Sequence, residues 1–149
     1  MRCVVQRVTE AAVRVEGQTV GRIDRGYLVL IGVEVGDAEA DLEYIARKVP
    51  NLRLFEDQEG KMNLSLEQVK GEILAVSQFT LLGDARGGRR PSYITAARPE
   101  IADPMYEKLV SVWREQGFRV ATGVFGADMK VSLVNDGPVT LLLDSRKIL

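Results

Sequence analysis

The stretch VSLVNDGPVTLLLD, residues 131–144, reads as one long β-strand that is interrupted in its middle by Gly137-Pro138. Proline cannot donate a backbone hydrogen bond to a neighbouring strand, and glycine weakens a strand, so a purely structural strand would avoid this pair. A turn between two short strands is one explanation. A cis peptide bond is the other, although only about 5–6% of X-Pro bonds in folded proteins are cis. The local pattern leaves both open.

The sequence as a whole predicts a mixed α/β fold with a largely antiparallel, curled, barrel-like sheet and two main helices. The predicted strands are RCVVQRV at 2–8, AAVRV at 11–15, TVGRI at 19–23, YLVLIGV at 27–33, LRLF at 52–55, EILAVSQFTLL at 72–82 and the segments of 118–144. The first four are expected to form an antiparallel meander. Helices are predicted over 38–49, between Asp37 and Pro50, and over 104–116, with Asp103 as the N-cap. Strands before and after two helices are typical of a mixed α/β domain.

The size and composition of the chain predict one globular domain over residues 1–149. The chain has 149 residues, of which 46% are hydrophobic. Its longest apolar runs are far shorter than the roughly 20 residues of a membrane span, and the N-terminus lacks a signal-peptide pattern. We therefore expect a cytoplasmic protein with no membrane partner. The one cysteine, Cys3, lies in an apolar strand-like run, which favours a buried structural role.

The net charge and the lack of histidine limit the classes of function that the protein can have. A net charge of −1 excludes a protein that binds nucleic acid through overall basicity, so such binding needs a local patch. RGGRR at 86–90 is one such patch; a solvated loop is the alternative. The sequence contains no histidine, which excludes Ser-His-Asp and Cys-His catalysis and leaves few zinc ligands. We expect no metal and no cofactor, and an enzyme here needs an unusual base or one from its substrate.

Two polar interruptions of apolar strands stand out, SQFTL at 77–81 and NDGPVT at 135–140. Buried strands avoid polar residues such as Ser77 and Gln78 unless hydrogen-bond partners are present for them. Together with four further motifs, these interruptions resemble the D-aminoacyl-tRNA deacylase family over the whole chain and in the right order. The further motifs are MRCVVQRV at 1–8, GKMNLS at 60–65, RPSY at 90–93 and FGADM at 125–129.

The resemblance implies a homodimer that hydrolyses the ester joining a D-amino acid, or glycine, to the 3′-terminal adenosine of tRNA. It also implies that the Gly137-Pro138 bond is cis and enters the active site of the partner subunit. The carbonyl groups of both residues would then face the substrate, and the side chain of an L-amino acid would collide with them. Arg7 is expected to hold this motif in place; the alternative is a strand-end arginine that faces solvent.

For catalysis, the candidate strip is Ser77, Gln78, Phe79 and Thr80. Backbone N–H groups near Phe79 and the Ser77 hydroxyl are suited to an oxyanion hole. Thr80 is a nucleophile by residue type, but it needs a base and the sequence offers no histidine. We therefore assign Thr80 to substrate positioning and expect the 2′-hydroxyl of the terminal adenosine to act as the base.

The resemblance assigns the remaining candidates to binding. Phe125 and Met129 are expected near the pocket, although two apolar residues beside a strand are equally suited to the core. The loop LGDARGGRRPSY at 82–93 departs from the family's more lysine-bearing pattern, but its arginines are still expected to contact tRNA phosphates, which requires charge and reach more than a fixed sequence. These are Arg86, Arg89 and Arg90.

Two rival functions compete with this interpretation. One is a non-catalytic nucleic-acid-binding protein on the same fold, which would have no reason to keep SQFTL and Gly-Pro in strands. The other is an editing relative of opposite or relaxed stereochemical preference, such as the animal-type deacylase or a synthetase-linked editing domain. The complete NDGPVT motif and the lack of a synthetase domain in this sequence lead us to expect neither.

Overall fold

The computed structural model describes residues 1–149 and contains eight strands and two α-helices. The strands are β1 (Arg2–Val15), β2 (Gln18–Ile23), β3 (Gly26–Gly32), β4 (Phe55–Glu56), β5 (Met62–Leu64), β6 (Glu72–Ser77), β7 (Val120–Thr122) and β8 (Lys130–Asp144). The helices are α1 (Glu39–Asn51) and α2 (Pro99–Glu115). The predicted mixed α/β class with two main helices is confirmed.

The long strand β1 organises the main sheet. Its residues 2–8 pair with β3 and its residues 11–15 pair with β2, both antiparallel. β2 and β3 therefore lie one after the other along the same edge of β1. β8 pairs antiparallel with the other edge, from Arg2 opposite Asp144 to Arg14 opposite Lys130. The predicted meander is wrong in its order, because the two predicted N-terminal strands are one 14-residue strand that contacts β2 and β3 in succession.

The rest of the sheet adds two parallel pairs that the sequence analysis did not anticipate. β6 pairs with β3, and β7 pairs with β6, both in parallel. Parallel neighbours need long crossover connections, and the segments that carry α1 and α2 supply them. β7 also closes on β2, where a Cβ atom on Gly21 would lie 2.3 Å from the Thr122 carbonyl oxygen. The sheet is therefore curled and nearly closed, as predicted.

Helix α1 differs from its prediction at both ends. Ala38 is the N-cap, whereas the Asp37 carboxylate accepts a hydrogen bond from the Glu34 N–H at 2.7 Å instead. Pro50 lies inside the last turn rather than stopping the helix. A proline at 50 removes the helical donor to the Ala46 carbonyl. Trp113 replaces that donor, because its Nε1–H lies 3.1 Å from the Ala46 oxygen.

Helix α2 begins five residues earlier than predicted. Pro99 occupies the first helical position, where a missing N–H costs nothing, and Arg98 is the N-cap. Asp103 and Pro104 are consequently interior residues, not the cap and first residue. Tyr106 is among the buried residues of the helix.

The apolar core is divided between the two faces of the sheet. The larger cluster packs both helices against the sheet, and a cluster of seven residues lies apart from it. Cys3 belongs to the larger cluster, and burial raises the pKa of its thiol to about 12, so its predicted buried role is confirmed. Neither helix is long and apolar enough to cross a membrane. The cytoplasmic location stays a prediction.

Candidate active site

The SQFTL motif lies where β6 ends and a 3-10 turn begins. The predicted strand over 72–82 is wrong beyond Ser77, because Phe79–Leu82 forms a short 3-10 helix. Gln78 links the two elements, and its backbone N–H donates to the Ile31 carbonyl at 2.7 Å. The first N–H groups of a helical turn have no acceptor within that turn. The backbone donors of Phe79 and Thr80 therefore lie at an open helical N-terminus rather than in a strand.

A mostly apolar cavity of about 540 Å³ opens beside this turn. It lies between the end of β6, helix α2 and the loop before β8. Five of the predicted site residues line it together: Ser77, Gln78, Phe79, Phe125 and Met129. The Ser77 hydroxyl makes no hydrogen bond within the chain. The cavity thus combines apolar walls with a small polar strip at one edge.

Thr80 is exposed and does not line the cavity. Its hydroxyl oxygen accepts a hydrogen bond from the Gln78 side-chain amide. A carboxamide cannot take a proton as a general base, and no carboxylate or amine bonds to Thr80. The structure therefore provides no partner that would activate this hydroxyl as a nucleophile.

The Gly137-Pro138 pair lies in a bulge of β8. The pairing of β1 with β8 passes from Gln6 opposite Thr140 to Val8 opposite Asn135, so residues 136–139 oppose Arg7 alone. We call residues 136–139 the Gly-Pro segment. The peptide bond is cis, as the resemblance implies, and β8 continues through it without the turn that was the alternative. Gly137 and Pro138 are exposed, and neither lines the cavity of its own chain.

Arg7 holds the Gly-Pro segment through a hydrogen bond to its backbone. Its side chain is only about 6% exposed, so the solvent-facing alternative is wrong. Its Nε donates to the Asp136 carbonyl at 3.0 Å, and its Nη1 donates to the Leu54 carbonyl at 2.6 Å. Gly137 has φ near +130°, and an added Cβ would lie 3.1 Å from Arg7 Nη2, so a side chain at 137 would crowd the guanidinium.

Comparisons with known proteins agree with one another. The family model described as "D-Tyr-tRNA(Tyr) deacylase" matches residues 4–144. A protein of Thermosipho africanus named D-aminoacyl-tRNA deacylase is 58% identical over 99% of both chains. One of the same name from Desulfitobacterium hafniense (strain DSM 10664 / DCB-2) is 61% identical over 99% of both. This chain belongs to the D-aminoacyl-tRNA deacylase family. The enzyme class predicted from the sequence is confirmed.

Two solved structures resemble this deacylase closely enough to compare folds. One, titled "c-Myc DNA Unwinding Element Binding Protein", superposes with a TM-score of 0.91 at 41% identity and covers 97% of this chain and 98% of its own. The other, titled "Structural Analysis of a probable eukaryotic D-amino acid tRNA deacylase", has a TM-score of 0.79 at 21% identity, over 96% and 98% of the two chains. The second supports the fold alone.

The deacylase cavity also contains two tyrosines that the sequence analysis did not assign to it. The Tyr106 hydroxyl donates to the Ala75 carbonyl at 2.8 Å, and burial raises the pKa of Tyr106. Tyr93 meets Phe79 edge to face, with ring centroids 5.3 Å apart. Tyr93 belongs to the RPSY motif, which was a usable signal. Tyr106 lies within the predicted helix, three, four and seven residues before buried Leu109, Val110 and Trp113, and that spacing was a usable signal for its burial.

The three loop arginines of this deacylase are exposed but not equivalent. The Arg86 guanidinium pairs with Asp84 at 2.7 Å and holds the pKa of that carboxyl well below its usual range. Arg89 and Arg90 make no ion pair in the chain. Two of the three predicted tRNA-binding side chains are thus available without breaking an existing contact.

Proposed function

We propose that this protein hydrolyses the ester between a D-amino acid, or glycine, and the 3′-terminal adenosine of tRNA. We further propose that it acts as a homodimer, in which the Gly-Pro segment of one subunit enters the cavity of the other. The proposal rests on one observation, which is that the Gly-Pro segment and the cavity lie apart within one chain. Gly137 and Pro138 are exposed, and the Gly-Pro segment is absent from the lining of the cavity that contains Ser77 and Phe79. A second subunit would unite them.

The cavity has the chemistry that ester hydrolysis requires. Negative charge develops on the carbonyl oxygen during attack by water, and donors fixed in advance stabilise it most effectively. The backbone N–H groups at the start of the 3-10 turn and the unpaired Ser77 hydroxyl are such donors. Because no histidine is present and Thr80 has no activating partner, the 2′-hydroxyl of the terminal ribose activates the water.

Selection between D- and L-amino acids then depends on the Gly-Pro segment. Backbone carbonyls that contact the α-carbon and amino group do not distinguish one side chain from another. They exclude the hand whose side chain points at them, which is rejection by collision. Glycine has no side chain to collide, so its ester is also cleaved. This arrangement accepts many amino acids of one hand.

Strand β8 supports the dimer. One of its edges pairs with β1, and its other edge has no strand partner. Val134 and Leu142 on this strand are 49% and 59% exposed. An unpaired edge with exposed apolar side chains is a surface that favours association with another chain. The Gly-Pro segment lies in the same strand, so association there carries it toward the partner.

We assign tRNA contact to the loop that contains Arg89 and Arg90, with Arg86 held by Asp84. The net charge of −1 means that this contact is local rather than distributed over the surface. Residues 1–149 are proposed to act as one domain that needs no cofactor or metal.

A mixed-dimer experiment tests the proposal. Pro138→Ala alters the inserted segment and Ser77→Ala alters the catalytic strip, and each homodimer is expected to cleave D-aminoacyl-tRNA poorly. A heterodimer contains one site with an intact strip and an intact partner segment, so mixing the chains restores activity. Each variant remixed with itself is the control. Confirmed heterodimers without recovered activity would refute insertion across subunits.

The wild-type protein, incubated with matched D- and L-aminoacyl-tRNA, tests the reaction itself. Preferential cleavage of the D-ester is expected. Binding of tRNA without cleavage of either ester would instead indicate the nucleic-acid-binding rival, and cleavage of both esters at equal rates would indicate an enzyme of relaxed stereochemistry.

A further inference from the structure

The GKMNLS motif, residues 60–65, has no part in the function proposed above. It forms the turn and second strand of the hairpin β4–β5, in which Phe55 pairs with Leu64. The Asp57 carboxylate closes the turn by accepting a hydrogen bond from the Lys61 N–H at 3.1 Å. None of these residues lines the cavity. The hairpin instead contacts the chain segment 53–55, which leads into β4.

Side-chain contacts anchor both ends of the segment 53–55, at Arg53 and at Phe55. Arg53 Nε donates to the Asn63 carbonyl at 2.9 Å, and Arg53 Nη2 donates to the Asn63 side-chain oxygen. Phe55 is 1% exposed and stacks on Tyr27, with ring centroids 5.3 Å apart at 16°. The Arg25 guanidinium lies over the Phe55 ring, 4.9 Å from the ring centroid. The residue between these anchors is therefore held from both sides.

That residue is Leu54, whose carbonyl accepts the 2.6 Å hydrogen bond from Arg7 Nη1. The same guanidinium donates from Nε to the Asp136 carbonyl at 3.0 Å, and it crowds the space beside Gly137. A planar guanidinium presents its donors in a fixed fork, so two acceptors that share it are held at a fixed separation. Arg7 thus connects the hairpin to the Gly-Pro segment.

We propose that the hairpin β4–β5 sets the position of the Gly-Pro segment through Arg7, which makes Asn63 and Phe55 positioning residues for stereochemical selection. The inference rests on the proposed function, in which that segment meets the amino acid of the partner's substrate. A displacement of about 1 Å in a group that positions substrate can change a rate on the order of 10²-fold. A loosened hairpin therefore affects the choice between D and L more than it affects binding of tRNA.

The test compares variants that loosen the hairpin with variants that do not. Asn63→Ala removes the side-chain acceptor of Arg53, whereas Asn63→Asp keeps an oxygen there. Phe55→Leu removes the stacked ring. Ile23→Ala, in the smaller apolar cluster, is the control for a general loss of core packing. Each full-length variant is measured for its single-turnover rates on D- and L-aminoacyl-tRNA, and for amide hydrogen exchange over residues 136–140.

We expect Asn63→Ala and Phe55→Leu to lower the ratio of D- to L-cleavage rates about tenfold or more, and to speed exchange at the Val139 amide. Asn63→Asp and Ile23→Ala should keep the wild-type ratio. Asn63 is only half-buried, so its two variants decide the question even if Phe55→Leu does not fold.

The failure of this inference differs from the failure of the proposed function. A wild-type enzyme that cleaves D- and L-esters alike refutes the proposed function, and hydrogen exchange then still decides whether the hairpin holds residues 136–140. A wild-type enzyme that discriminates, with Arg7→Lys lowering the ratio but both hairpin variants leaving ratio and exchange unchanged, overturns the inference about the hairpin alone.

Discussion

Replacing Thr80 with alanine tests whether the protein contains its own nucleophile. In the structure the Thr80 hydroxyl is exposed and has one hydrogen-bond partner, the Gln78 amide. We expect the loss of one such hydrogen bond to raise the activation free energy of cleavage by about 0.5–1.5 kcal/mol. Because each 1.36 kcal/mol corresponds to a tenfold change in rate, Thr80→Ala should slow cleavage by about two- to thirteenfold. Loss of a true nucleophile lowers kcat by on the order of 10⁴–10⁶.

The assay is a single-turnover measurement on D-aminoacyl-tRNA with enzyme in excess, which separates the chemical step from tRNA binding. Thr80→Ser is the matched control, because it keeps a hydroxyl at the same position and removes only a methyl group. A companion substrate carries the amino acid on a 2′-deoxy terminal adenosine in a stable ester. This substrate should bind normally and be cleaved very slowly, since it lacks the proposed base.

The two measurements decide the mechanism together. A Thr80→Ala protein that folds normally but loses at least about 10⁴ in rate, combined with normal hydrolysis of the 2′-deoxy substrate, would refute substrate assistance. Thr80 would then be the nucleophile, despite the absence of any partner able to take its proton.

Three further predictions concern Gly137, the loop arginines and Tyr106. Gly137→Ala places a methyl group 2.7 Å from Val139 Cγ2 and 3.1 Å from Arg7 Nη2 at a positive φ, so the ratio of D- to L-cleavage rates should fall about tenfold or more, and an unchanged ratio would remove this glycine from selection. Neutralising Arg89 and Arg90 together should reduce the slope of log affinity for tRNA against log salt concentration by about 1.5 in binding titrations, with the stereochemical preference unchanged. Tyr106→Phe removes the 2.8 Å hydrogen bond to the Ala75 carbonyl, which still accepts from the Gly123 N–H at 3.3 Å, so urea titration should show a free energy of unfolding lower by about 0.5–1.5 kcal/mol.

Several features were predictable because they depend on residues close together in the chain. Alternating and continuous apolar runs identified the long strands, and helical periodicity identified the bodies of both helices. The boundaries were less accurate. Pro50 and Pro104 read as a stop and a start, yet both lie inside helices. At Pro50 the reason is distant in sequence, since Trp113 supplies the missing donor.

The candidate site was predicted in the same uneven way. The motifs identified Ser77, Gln78 and Phe79 as a strip and Phe125 and Met129 as neighbours, and the structure places all five on one cavity. The sequence predicted a strand where a 3-10 turn occurs. Apolar residues after a strand have the same local pattern in both conformations, and the turn is selected by packing of its residues against the end of β3 rather than by their own preferences.

The two helices, most of the strand segments and the enzyme family could be read from the sequence alone, and its lack of histidine directs the search for a base toward the substrate. The order of the strands and the bulge that places residues 136–139 opposite Arg7 became visible only in the folded chain. The bulge depends on pairings between residues more than 100 positions apart, from Arg2 with Asp144 to Val8 with Asn135. Local propensity carries no information about such pairings, because their register is set by burial and hydrogen bonding across the whole sheet. The contact of Arg7 with both Leu54 and Asp136 is one result of that register.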